Sequence, residues 1–173
     1  YREVSAAYNE ISVDLPKGER LFAYGWMQIN QDKQLYPDAN STIRLTYGTV
    51  GGYEPRDGVV FDYFTTIDGV IEKEDPSSHE FYLLDRYKDL YNDGDFGDYL
   101  NKDGNLIVNF ISNNDITGGN SGSPVIDADG NYIGAAFDGN SEAMSGDIHF
   151  ETELQKCINV DSRYILWVID KYA

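Results

Sequence analysis

The chain has 173 residues, 41% hydrophobic and 14% aromatic, with 30 acidic against 13 basic side chains and a formal net charge of −17. That length and apolar content allow a real core, one domain with an appendage, while the charge repels nucleic-acid backbones and anionic membranes and excludes both as partners. The single cysteine, Cys157, excludes an internal disulfide framework and a multi-cysteine metal site.

In chain order, residues 1–33 place Leu21, Phe22, Met27 and Ile29 at loosely helical spacing, interrupted by Pro16-Lys17-Gly18, which predicts two short helices joined by a turn. Alone, this segment has too little apolar surface to pack, so it reads as the end of a helical element whose partners lie elsewhere. After Tyr36-Pro37-Asp38-Ala39-Asn40 the period changes to two. Ile43, Leu45 and Tyr47 alternate with Thr42, Arg44 and Thr46, predicting a strand broken at Gly51-Gly52, and residues 59–71 predict a further strand pair with a turn at Asp68-Gly69. Ser77 and Glu80 form a capping box ahead of Phe81, Leu84, Tyr87, Lys88 and Tyr91, which predicts a short surface helix.

Asp93, Asp95, Asp98 and Asp103 then lie in a glycine-rich loop, followed by a strand at 106–111. A hairpin of 124–126 with 132–137 turns at Asp127-Ala128-Asp129-Gly130-Asn131, and Asp161 caps a closing helix through Tyr164, Ile165, Val168 and Tyr172. Six or so short antiparallel strands with one closing helix predict a mainly β fold, a small antiparallel barrel over residues 36–173 behind a helical segment at 1–35. No stretch approaches the ~20 apolar residues of a membrane helix. No secretion leader opens the sequence, which leaves one to processing or to a longer precursor.

The chemistry concentrates in Thr117-Gly118-Gly119-Asn120-Ser121-Gly122-Ser123-Pro124. A serine between glycines suits a nucleophile on a tight turn, because glycine accepts positive φ and leaves backbone N–H groups open to an oxyanion. A hydrolase elbow of the Gly-x-Ser-x-Gly kind needs a second glycine where Ser123 stands, and a phosphate loop needs a lysine that is absent here. That leaves Ser121 as the catalytic candidate, the alternative being a glycine-rich turn with an incidental serine. Asp127 to Asp138 mimics part of an EF-hand, but Tyr132 occupies the position where that loop needs glycine, so a hairpin turn is expected and no metal. The acidic loop at 93–103 reads as a solvated surface, with weak Ca²⁺ binding as the alternative, and no cofactor is expected.

Gly-Asn-Ser-Gly-Ser-Pro followed by a hairpin resembles the Gly-Asp-Ser-Gly-Gly-Pro loop of chymotrypsin-like serine peptidases, which implies that the N–H groups of Ser121 and of Gly119, two residues before it, form the oxyanion hole. The wider runs Asp115-Ile116-Thr117 through Val125 and Ile133-Gly134-Ala135-Ala136-Phe137-Asp138-Gly139-Asn140 resemble bacterial dipeptidyl peptidases of the dipeptidyl-peptidase 7 and 11 type, serine peptidase family forty-six. So do Tyr36 to Asn40, Arg44-Leu45-Thr46-Tyr47-Gly48, Ser145-Gly146-Asp147-Ile148 and Val160-Asp161-Ser162-Arg163-Tyr164.

The resemblance implies that residues 36–173 are the second, six-stranded barrel of a chymotrypsin-like double barrel and that 1–35 end an inserted helical domain. It implies release of dipeptides from peptide N-termini, in the periplasm or at the cell surface of a Gram-negative bacterium. The histidine and aspartate of the triad belong to the first barrel, so this chain alone is expected to be inactive. His79, on the predicted surface helix, and His149, on a strand after the serine, are poor substitutes. The resemblance also implies that Gly139 marks a preference for a hydrophobic or aromatic side chain before the scissile bond, where relatives cleaving after Asp or Glu carry arginine. It implies that Asp138, with asparagines from elsewhere, binds the substrate's α-ammonium, the alternative being a solvated strand-end carboxylate, and Asn140 is a further candidate for substrate binding.

The expected partners are a peptide substrate, the missing first barrel and helical domain, and a second copy of the chain through the exposed docking surface, as a homodimer. The alternative is a non-enzymatic acidic barrel whose 14 tyrosines bind a peptide or glycan.

Overall fold

The computed structural model describes residues 12–32, 41–146 and 149–173 together with Ser5, Tyr8 and Ala39. The start of the expected helical segment, most of the 36–40 turn and Asp147-Ile148 lie outside the described residues. Two compact units are present, Tyr1–Arg44 and Leu45–Ala173.

In the first unit a 3-10 turn, Ser12–Asp14, leads directly into helix α1, Leu15–Ile29. Pro16 does not separate two helices here. It occupies the first turn of α1, where an amide hydrogen would have no intrahelical acceptor, so proline is tolerated there. No residue of α1 is buried, and Phe22 and Ile29 remain exposed.

The second unit is mainly β. Strands β1 (Tyr53–Arg56) and β2 (Val59–Phe61) form a hairpin. β3 (Phe64–Thr66), β4 (Ile107–Ser112), β5 (Pro124–Ile126), β6 (Tyr132–Gly139) and β7 (Cys157–Asp161) form an antiparallel sheet in the order β3-β4-β7-β6-β5. The two described sheets are open, in place of the closed six-stranded barrel expected from sequence.

The alternating residues Ile43, Leu45 and Tyr47 form no strand and are 99%, 80% and 89% exposed. Pairing begins only at an isolated bridge from Val50 to Ser112, flanked by the Thr49 N–H donating to Asn113 Oδ1 at 2.6 Å. Upstream of that point no described strand offers the chain a ladder to join.

Two further expectations are corrected. Asp68-Gly69 is no turn but part of helix α2, Ile67–Glu72, which buries Ile67 and packs Val70 and Ile71 beside it, an i, i+3, i+4 stripe. Ser77 does not cap a helix; its hydroxyl and N–H both go to Asp75 Oδ1, closing a local turn, and helix α3 starts later, at Asp85–Asp93. His149 lies on no strand. The hairpin β5–β6 and the cap of helix α4, Ser162–Trp167, are as expected, with Asp161 Oδ1 accepting the Arg163 N–H at 2.8 Å.

The core lies against β4: Ile67, Tyr87, Leu106, Val108 and Trp167 form one cluster, ringed by Leu83, Leu90, Phe96, Tyr164 and Tyr172. Trp167 is fully buried at 0% exposure. Its ring stacks on Tyr164 at 5.9 Å and meets Tyr87 edge-on at 5.4 Å, while its indole N–H donates to the Asp95 carbonyl at 2.9 Å. Burial pushes the Tyr87 phenol far up, and it stays protonated against the Tyr164 hydroxyl at 3.2 Å. Replacing Trp167 with Ala removes both the packing and an indole donor, and denaturant unfolding should show a loss of about 3–5 kcal/mol.

Candidate active site

The serine loop joins β4 to β5 and is braced by Asn120. Asn120 Oδ1 accepts the Thr117 N–H at 2.9 Å, its own N–H donates to the Thr117 carbonyl at 3.1 Å, and its carbonyl accepts the Ser123 N–H at 2.9 Å. Gly119 and Gly122 sit at φ +96° and +85°, left-handed backbone that favours glycine over any side chain. The loop then docks on β6: Gly122 N–H reaches the Ala136 carbonyl at 2.7 Å and Ala136 N–H the Ser123 carbonyl at 3.0 Å.

These bonds divide the loop's donors into two sets. The N–H groups of Asn120, Gly122 and Ser123 are consumed in holding its shape. Among the described residues, those of Gly118, Gly119 and Ser121 have no acceptor, a set that includes the two singled out from sequence.

The exposed Ser121 hydroxyl donates to the Phe137 carbonyl at 3.1 Å, so the serine is anchored on β6 two residues before Gly139. Among the described residues no imidazole accepts from it. His79 is exposed on a turn, and exposed His149 faces Glu151 at 3.7 Å.

The end of β6 holds the other three candidates. Asp138 is exposed, with Oδ1 accepting the Gly139 N–H at 2.8 Å. Gly139 pairs in register with Cys157 on β7. The Asn140 amide bonds to the backbone of residues 154 and 156, Nδ2 donating to the Leu154 carbonyl and Oδ1 accepting the Lys156 N–H, each at 2.8 Å. Together with Asn140 N–H to the Lys156 carbonyl at 3.0 Å, this pins the end of β6 to the start of β7.

A 3-10 turn, Ser141–Ser145, follows and is held along its length. Tyr53 of β1 donates its hydroxyl to Glu142 Oε2 at 3.1 Å, and the buried Gln155 donates to Ser145 Oγ at 3.1 Å. Burial pushes the Tyr53 phenol up, its bond with Asn140 opposes this and the Glu142 carboxylate adds to it, so the hydroxyl remains a donor. Tyr53, Gln155 and the turn were missed from sequence. Tyr53 lies 89 positions from its partner, and no local pattern announces such a bond.

Away from the site, Asp127 closes the β5–β6 turn by accepting from Asp129 and Asn131, which holds its carboxyl below the usual range. Among the described residues no group of three or more His, Cys, Asp or Glu side chains converges on a metal position.

The whole chain, residues 1–173, matches the Peptidase S46 family. Dipeptidyl-peptidase 7 of Porphyromonas gingivalis is 49% identical over 179 residues, covering 99% of this chain and 25% of its own length. The Asp/Glu-specific dipeptidyl-peptidase of the same organism is 44% identical, covering 99% of this chain and 24% of its own. Among solved structures, Porphyromonas endodontalis DPP11 in complex with the dipeptide Arg-Glu superposes with a TM-score of 0.87 at 38% identity, over 99% of this chain and 24% of that one. The chain thus spans about a quarter of the length of the relatives it matches.

Cys157, beneath Gly139 on β7, is buried, and burial pushes its thiol from 9.0 up to about 11. A folded pKa above the unfolded one adds stability that is complete below pH 9 and is lost as pH rises through about 11. Stability measured from pH 8 to 12 should therefore contain a decline in that window that disappears in Cys157→Ala. At neutral pH iodoacetamide should alkylate the thiol only after unfolding.

Proposed function

The chain belongs to the Peptidase S46 family, and on that premise we propose that it is the nucleophile-bearing part of a serine dipeptidyl peptidase that releases dipeptides from free peptide N-termini. The observation that carries this reading is the Ser121 loop, where an exposed hydroxyl shares a tight turn with open N–H groups that include those of Gly119 and Ser121. In the proposed reaction Ser121 Oγ gives its proton to a histidine base and bonds to the scissile carbonyl carbon. The carbonyl oxygen becomes negative and is held by the N–H groups of Gly119 and Ser121. Collapse expels the protonated amine, and water then hydrolyses the acyl-enzyme by the same route.

The base and its orienting aspartate are proposed to come from the remaining three quarters of the full-length protein. Without them the Ser121 hydroxyl keeps its proton and is a weak nucleophile, so the 173-residue chain alone is proposed to be inert. The relatives include both dipeptidyl-peptidase 7 and the Asp/Glu-specific type, so membership leaves the preferred side chain open. Gly139 supports a hydrophobic or aromatic one, because glycine leaves an apolar slot and offers no cation to a carboxylate. Asp138, exposed two residues before the pinned Asn140, is proposed to pair with the substrate's α-ammonium.

In the full-length protein a fluorophosphonate should modify Ser121, and Ser121→Ala should cut dipeptidyl turnover by on the order of 10⁴-fold or more. Substrates with leucine or phenylalanine before the scissile bond should be cleaved faster than those with Asp or Glu. An unlabelled, folded full-length protein would favour an acidic binding module, and turnover by the isolated chain that Ser121→Ala abolishes would overturn its proposed inertness. Asp138→Asn should raise KM for substrates with a free amino terminus about tenfold or more, as expected for a lost charge-assisted hydrogen bond; an unchanged KM removes Asp138 from that role.

A further inference from the structure

Gly139 has less room around it than an open slot implies. A Cβ built on Gly139 would stand 3.0 Å from the Cβ of Ala143, closer than two carbons pack without one of them moving. Ala143 is half-buried on the 3-10 turn Ser141–Ser145, so its methyl group already borders the space that a side chain at 139 would enter.

That turn cannot easily move aside. Asn140 fixes its start by two side-chain bonds of 2.8 Å to residues 154 and 156, Tyr53 holds Glu142 in its middle, and the buried Gln155 holds Ser145 at its end. Gln155 is itself oriented by the Glu151 N–H at 3.2 Å and donates to the His149 carbonyl at 3.1 Å. A wall braced at three points keeps its position when a ligand arrives, which is the condition for a wall that discriminates by size.

We propose that Ala143 is a specificity-determining residue that sets, jointly with Gly139, the size of side chain accepted beside Ser121. This rests on the peptidase reading and extends it: the slot is bounded by two residues from separate elements, and the small size of one matters only because the other is small too. Side chains at the two positions are therefore energetically coupled. One methylene in such a pocket shifts discrimination by about 10–200-fold, so a single branched side chain at 143 is enough to be measured.

The test uses the full-length protein and kcat/KM for dipeptidyl substrates with phenylalanine, leucine or alanine before the scissile bond. Ala143→Leu should lower the phenylalanine-to-alanine ratio about tenfold or more; a ratio within twofold of the unsubstituted protein, with unchanged melting, overturns the proposal. Should Ala143→Leu fail to fold, a double-mutant cycle decides. Gly139→Ala should lower leucine turnover about tenfold or more, and adding Ala143→Gly should recover most of the loss, whereas effects that simply multiply overturn the coupling. If the unsubstituted full-length protein neither takes a fluorophosphonate at Ser121 nor cleaves any of the three substrates, the peptidase reading fails and this inference with it. If it does both and only the Ala143 results are negative, the failure belongs to Ala143 alone.

Discussion

The arrangement of the second unit depends on strand β7. It lies at the centre of the five-stranded sheet, with β4 on one side and β6 on the other, although both are earlier in the chain. Its buried residues alternate, Cys157, Asn159 and Asp161, and each ties it to something different. Asn159, almost wholly enclosed, donates to Ser112 Oγ at 3.0 Å across to β4 and accepts from the Cys157 thiol at 3.2 Å. Asp161 caps α4 and binds the Arg163 guanidinium at 2.9 and 2.7 Å, setting the direction in which α4 carries Trp167 into the core. Without β7 the β5–β6 hairpin would have no strand pairing to the half of the sheet that is packed on aromatics, and only the serine loop would join them.

The site inherits that rigidity unevenly. The serine loop obtains its shape from the Asn120 side chain, from backbone bonds to β6 and from two glycines at positive φ. The end of β6 depends on side-chain amides still more. Asn140 and Gln155 each bridge segments distant from their own backbone neighbours, and a buried amide that loses a partner costs about 1–3 kcal/mol. The attacking group and the pocket wall therefore share β6 as a support, and an asparagine side chain fixes each of them to it or beside it.

Local features were legible in the sequence. The turn Asp127 to Asn131 closes on its own side chains, Asp161 caps within two residues, and the glycines of the serine loop announce positive φ directly. Where the reading failed, the same residues satisfied two patterns. Ile67, Val70 and Ile71 are β-branched and read as strand, yet at i, i+3 and i+4 they also face a core, and packing chose the helix. Ser77 and Glu80 matched a capping box, but Asp75 stood nearer and took the hydroxyl. Ile43, Leu45 and Tyr47 alternated correctly with no described strand to receive them. The pocket wall was illegible for another reason: Tyr53, Ala143 and Gln155 act through contacts that only the assembled sheet creates.

The placement of the two tryptophans has an optical consequence. Trp26 lies on α1 of the first unit with 45% of its surface in solvent, whereas Trp167 is enclosed in the second with its indole N–H bonded to a carbonyl. A solvated indole emits at longer wavelength than one held in an apolar shell. The chain therefore carries one tryptophan in each unit, at different colours, and with excitation selective for tryptophan over its 14 tyrosines the unfolding of the serine-bearing unit can be followed through the blue component of that emission without any added label.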